Sequence, residues 1–219
     1  MSTIYILDTT NLNPDYKIYQ NIPSNRLEKI KKSTNINYIK ESLGAQLLLN
    51  KILKERFLLD LNKIEYIYNE NFKPYLKDIP IYFSITHSNN IVCLAVEKYT
   101  EIGIDLELIK KHNTSVAKKI MNDKEYEIYQ KIKTFNDEQN NYFYELWTKK
   151  ESYVKRYGTS ITINPKNIDI SKGEQNNEFI SKIIEINNKQ YMLSTCGITK
   201  IKIEEVQIPS MYKINNSRR

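Results

Sequence analysis

Between Glu138 and Tyr157 apolar side chains recur at steps of three and four, at Tyr142, Phe143, Leu146, Trp147 and Val154. That spacing predicts one long amphipathic helix, closed by Gly158. Similar steps through Ile39, Leu43, Leu47, Ile52 and Leu53 predict a second helix over about 38–58, capped by Asn37. A shorter helix opens at Pro23-Ser24-Asn25, and a third long pattern covers about 115–133. Alternating or continuous apolar runs predict strands at 4–7, 64–68, 81–85, 91–96, 102–108, 168–170, 179–186, 191–195 and 201–206. Each half of the chain thus runs strand, helices, then several strands. The expected fold is α+β, with two similar α+β halves (1–101 and 102–214) packed together as a pseudo-dimer and a disordered tail over 215–219.

Composition narrows this picture only slightly. A chain of 219 residues with 40% hydrophobic positions can bury a full core. Its net charge of +7 points to an anionic partner, though the lysines form no long block. The first eight residues carry no basic segment and their apolar run stops at Asp8, so they read as a strand and not a signal peptide. No stretch approaches the roughly 18 apolar residues of a membrane helix. Cys93 and Cys196 fall in strand-like runs without metal-like spacing, as expected of buried thiols in a reducing cytoplasm.

The chemistry concentrates in a few places. In Gly103-Ile104-Asp105-Leu106-Glu107 strand alternation puts Asp105 and Glu107 on one face, about 6–7 Å apart. Such a pair repels itself unless water or a cation screens it. On the long helix Trp147, Glu151 and Lys155 share a stripe. Glu151 and Lys155 could be an ordinary surface pair, and the strand carboxylates an ordinary solvated face. Taken together, the three carboxylates would suit a hard divalent cation with open positions for a phosphate ester. Groups able to meet the phosphates are His87, placed after a strand among hydroxyl residues, Lys73 at an X-Pro step, and Arg26 and Lys29 in the first half.

Gly103 to Glu107, then Trp147-Thr148-Lys149-Lys150-Glu151, preceded by Phe83-Ser84-Ile85-Thr86-His87-Ser88, resemble the signatures of the 4′-phosphopantetheinyl transferases in order and spacing. The likeness is to the larger, pseudo-dimeric branch that activates surfactin synthetase, over roughly residues 20–158. It implies coenzyme A held between two α+β halves, and Mg²⁺, replaceable by Mn²⁺, bound by Asp105, Glu107 and Glu151. It implies that Lys73, Thr86, His87 and Asp105 lie against coenzyme A, with Arg26 and Lys29 near its 3′-phosphate. Glu151 would be the base and Lys155 the cation on the leaving phosphate. The acceptor would be a serine of an apo acyl or peptidyl carrier protein, docking near Lys118, Lys119, Ile120 and Met121 on a monomeric enzyme, with neither nucleic acid nor membrane as partner. Two departures stand out: Phe72 where the family carries Gly, and Thr86 where Ser is usual. The charge and the 17 tyrosines also suit a basic nucleic-acid-binding module, and the carboxylates another metal-dependent transferase acting on a nucleotide diphosphate.

Overall fold

The computed structural model describes residues 2–132, 137–159, 164–171, 175 and 177–214; the expected tail at 215–219 lies outside them. The fold is α+β. Its main sheet has the order β4-β5-β1-β9. Here β1 (Ser2–Asp8) and β4 (Tyr82–Ser88) each pair antiparallel with β5 (Ile91–Glu97), and β9 (Ile201–Glu205) runs parallel to β1. The fourth strand of this sheet therefore comes from beyond residue 102. A second sheet has the order β6-β8-β7, from β6 (Gly103–Leu108), β8 (Lys189–Cys196) and β7 (Phe179–Ile186). A hairpin of β2 (Tyr66–Tyr68) and β3 (Pro74–Leu76) stands apart. The strand expected at 64–68 shrinks to its last three residues, and β3, only three residues long and opened by proline, gave no periodic signal.

Alternation along β1 and β5 divides the core. Tyr5, Leu7, Val92 and Leu94 face α2 (Ile36–Phe57), meeting Leu48, Leu49, Ile52 and Leu53. Ile4, Ile6, Cys93 and Ala95 face the other way, onto Ile104, Leu106, Tyr191 and Leu193 of the second sheet. The two sheets thus share one apolar layer. Asn35 caps α2, its side chain accepting the Asn37 and Tyr38 N–H groups, so the cap stands two residues before the expected Asn37. The short α1 is Ser24–Lys32.

On the far side of the second sheet lies α5 (Glu138–Tyr157), with the bounds the periodicity gave and Gly158 at φ +57° closing it. The expected helix over 115–133 is two helices, α3 (Thr114–Ile120) and α4 (Asp123–Lys131). The break lies at Asn122, whose side chain accepts the Glu125 N–H while the Glu125 carboxylate accepts the Asn122 N–H. Met121 is extended there, so Ile120 (5% exposed) and Met121 (1%) both turn into the core with Phe143 and Leu146. The expectation that one of them is an exposed docking residue fails for that reason; had the helix continued, adjacent side chains would have diverged. An Asn122→Ala protein should lose about 1 kcal/mol of stability in urea denaturation. Residues 168–170, expected as a strand, form none; Ile168 and Ile170 are apolar because they fill this same core. Below them Lys150 is buried, its ammonium donating to the Ile120 and Pro165 carbonyls (3.0 and 2.9 Å) and to Glu125 (2.7 Å). Among the described residues no helix is long and apolar enough to cross a membrane.

Candidate active site

The site forms where the two sheets meet edge to edge. Strands β4 and β6 are both edge strands. Along β4 Ser84, Thr86 and Ser88 alternate, and each hydroxyl accepts an N–H from β6: Ser84 from Ile104 (3.1 Å), Thr86 from Leu106 (3.3 Å) and Ser88 from Leu108 (3.1 Å). Side chains thus satisfy the backbone donors that an edge strand leaves open. On its helix side β6 lies directly on α5. A Cβ at Gly103 would stand 1.7 Å from the Ser152 carbonyl oxygen and 2.7 Å from the Arg156 nitrogen, so only glycine permits this approach. That approach brings Asp105 and Glu107 to Glu151 and Lys155.

Asp105 is 4% exposed. Its Oδ1 accepts the Thr86 hydroxyl (2.9 Å) and the Lys155 ammonium (2.6 Å), while its Oδ2 is buried without a hydrogen-bond partner. Glu107 accepts the Ser88 hydroxyl at 3.2 Å and a hydrogen bond from Trp147, which ties the stripe on α5 to β6. Burial, then the charge of Asp105, holds both the Glu107 and Glu151 carboxyls above the ordinary carboxylate range. Among the described residues no three His, Cys, Asp or Glu side chains converge into a ready-made metal cage, and Asp105 is paired with Lys155. The chemistry of the donors nevertheless fits a hard divalent cation: one buried and two half-buried carboxylates in mutual repulsion, and one carboxylate oxygen with nothing to accept.

That electrostatic state has a pH consequence. The folded pKa values of Glu107 and Glu151 lie above the ordinary 4.5, so their contribution to stability is present below that value and lost as pH rises through the folded values. A divalent cation needs the deprotonated forms. Mg²⁺ should therefore raise the thermal unfolding midpoint more at pH 8 than at pH 5.

Beside the carboxylates two adjoining cavities open. One cavity of about 300 Å³ is lined by Arg26, Lys29, Tyr66, Phe72 and His87, among others. The adjoining one, about 250 Å³, includes Arg26, Phe72, Lys73, Ser84 and Lys155. Arg26, Lys29, His87 and Lys155 thus face one continuous groove. Arg26 donates to Gln46 Oε1 at 3.2 Å, and burial lowers its pKa. His87 Nδ1 lies 2.9 Å from Glu41 Oε2, while Glu41 Oε1 takes the Asn90 N–H at 2.8 Å. Lys73 is committed elsewhere: its ammonium donates to Glu101 (2.9 Å) and to the Arg156 carbonyl, clasping the β2–β3 hairpin to the end of α5. Thr86 spends its hydroxyl on Asp105 and Leu106, so here it holds the carboxylate. The sequence reading gave no role to Glu41, Ser84, Ser88 or the Trp147 indole, although the Ser-x-Thr-x-Ser alternation of β4 was visible. A larger cavity, about 630 Å³ and lined by Glu125, Ile128 and Tyr142 among others, includes none of the expected site residues.

Residues 101–200 match the family model of the 4′-phosphopantetheinyl transferase superfamily. Among curated relatives, the chain is 28% identical over 143 residues to the 4′-phosphopantetheinyl transferase ffp of Bacillus subtilis, covering 65% of this chain and 62% of that one. It is 33% identical over 124 residues to Sfp of Bacillus subtilis (strain 168), covering 56% and 54%. To gsp of Aneurinibacillus migulanus it is 27% identical over 215 residues, covering 89% and 87%. The matches thus span less than two thirds of the length of the first two relatives. All three are named 4′-phosphopantetheinyl transferases. The segment similar to the 4′-phosphopantetheinyl transferase superfamily, residues 101–200, carries Asp105, Glu107, Glu151 and Lys155.

Proposed function

We propose that the protein transfers the 4′-phosphopantetheine group of coenzyme A to a serine of an apo acyl or peptidyl carrier protein, releasing 3′,5′-ADP. The observation that carries this reading is the buried Asp105–Lys155 contact, with Glu107 and Glu151 in electrostatic range, at the end of a groove lined by Arg26, Lys29 and His87. A pyrophosphate at the carboxylates and a further phosphate at the cations match that distribution of charge. Asp105, Glu107 and Glu151 would hold Mg²⁺, or Mn²⁺ in its place, which when bound neutralises pyrophosphate charge and stabilises the developing leaving group. The serine oxygen attacks the phosphorus bearing pantetheine, and the bond from that phosphorus to the bridging oxygen of 3′,5′-ADP breaks. Glu151, beside that site on α5, would take the serine proton. Lys155 sits one turn further along α5 and presents its ammonium to the charge gathering on the departing phosphate.

The carrier approaches beside α3, where Lys118 and Lys119 are exposed together with Val116, and Ile128 is exposed on α4. The lysines suit an acidic partner and make its capture salt-sensitive. One chain supplies the whole lining, with residues 154–159 joining residues 26–85 around the smaller cavity, so a monomer suffices. The buried Cys93 and Cys196 thiols fit a reducing cytoplasm.

Incubation with coenzyme A, Mg²⁺ and an apo carrier protein should yield a carrier heavier by one phosphopantetheine in intact-mass measurement. An unmodified carrier would refute the reading and leave a basic binding module. A Lys155→Met protein should lose turnover on the order of 10²-fold while its coenzyme A affinity changes far less, because the cation acts on charge that develops only in the transition state. Single-turnover rates at saturating coenzyme A, set beside direct binding, check this.

A further inference from the structure

Nine non-glycine residues among those described adopt positive φ, and seven of them are Asn or Asp, the residues that tolerate it. The other two are Leu58 and Phe72. Leu58 closes α2, and lines neither cavity of the groove. Phe72, at φ +63°, sits in the β2–β3 turn. There the Phe72 N–H meets the Asn69 carbonyl (3.0 Å) and the Asn69 N–H meets the Lys73 carbonyl (3.1 Å). The turn geometry explains the left-handed backbone, but glycine or asparagine would satisfy it with less strain. Nothing in the turn explains a phenyl ring, and the ring is 83% exposed. The turn is also firmly held. Asn69 Oδ1 accepts the Asn71 and Lys73 N–H groups, and the Asn69 and Asn71 side chains both donate to the Gly158 carbonyl (3.1 and 2.8 Å). The backbone that carries this exposed apolar ring is thereby fixed on the shared rim of both cavities.

We propose that Phe72 is a specificity-determining platform on which the flat base of the nucleotide portion of coenzyme A stacks. The proposal rests on the transferase reading above. A ligand with its pyrophosphate at Asp105 and Lys155 and a further phosphate at Arg26 and Lys29 must pass the rim that Phe72 occupies. The ribose of coenzyme A links those two phosphate groups, and the adenine projects from its C1′ beside them. Backbone strain held at an exposed position on a groove points to a ligand, and a backbone already fixed loses little freedom on binding.

The variant Phe72→Gly tests this without endangering the fold, since glycine relieves the left-handed strain. Its thermal midpoint should be unchanged or raised. Coenzyme A affinity should fall roughly 5- to 150-fold, the range that base–aromatic stacking carries. Affinity for 4′-phosphopantetheine, which has no base, should stay at the wild-type value, as should kcat at saturating coenzyme A. Phe72→Trp should retain coenzyme A affinity. If Phe72→Gly binds coenzyme A as tightly as the wild type, or loses both ligands equally, the assignment of Phe72 is overturned while wild-type carrier modification keeps the transferase reading. A wild-type protein that binds no coenzyme A overturns both.

Discussion

Replacing Asp105 with alanine should slow transfer on the order of 10³-fold and leave the fold intact. The asymmetry comes from what surrounds the carboxylate. Its Oδ1 holds Lys155 and its Oδ2 has no partner, while its charge opposes ionisation of both Glu107 and Glu151. Deleting it relieves that repulsion, and Lys155 remains within electrostatic reach of both glutamates. The folded protein therefore loses little, whereas the proposed metal loses its central ligand. Turnover measured across a Mg²⁺ series, beside an unfolding curve, separates the two effects. Near-wild-type turnover at limiting Mg²⁺ would move the metal away from Asp105.

Gly103→Ala should be damaging for the opposite reason, through the fold first and the chemistry second. The new Cβ would meet the Ser152 carbonyl oxygen at 1.7 Å, and that oxygen belongs to the α5 backbone. No side-chain rotation removes such a clash, so β6 and α5 must separate, at a cost of about 3 kcal/mol. Gly44 offers a contrast. A Cβ there would meet the Thr9 side-chain methyl at 2.4 Å, which a side-chain adjustment can partly relieve. In Gly103→Ala, any protein that remains folded carries Glu151 and Lys155 away from Asp105. Urea denaturation should show the loss of stability, and transfer assayed at low temperature, where the variant is folded, should remain depressed. A stability within 0.5 kcal/mol of wild type, on the scale of ordinary surface substitutions, would contradict the β6–α5 contact.

Much of this geometry was legible in local pattern. The stripe Trp147, Glu151 and Lys155 follows from helical periodicity, and the opposite facing of Asp105 and Ile104 from strand periodicity. What escaped depended on competition or on distant partners. The apolar steps continue through Asn122, and only the reciprocal bonds of Asn122 and Glu125 show that a new helix starts there. Ile168 and Ile170 look like a strand because burial and β pairing select the same residue types. The pairing of Ser2 with Ile201 joins the two ends of the described chain, and no window of sequence contains both. Lys73 and Thr86 carry hydrogen-bonding capacity that the sequence displays, but whether it is spent on a ligand or on Glu101 and Asp105 is decided by tertiary neighbours.

The hydroxyl seam between β4 and β6 makes the alignment of the two sheets a stepwise quantity. Ser84, Thr86 and Ser88 meet Ile104, Leu106 and Leu108 at a constant offset of 20 residues. A slip of one residue would bring Ile85 and His87 to the seam and break all three hydroxyl contacts. The next arrangement that restores hydroxyl contacts is two residues away, about 6–7 Å along the strand. The distance from His87 to the carboxylates therefore cannot drift gradually as sequences diverge or as the protein warms. Each molecule has its groove at the working width or has no groove at all, so heating should reduce the fraction of competent molecules without broadening their affinity for the ligand.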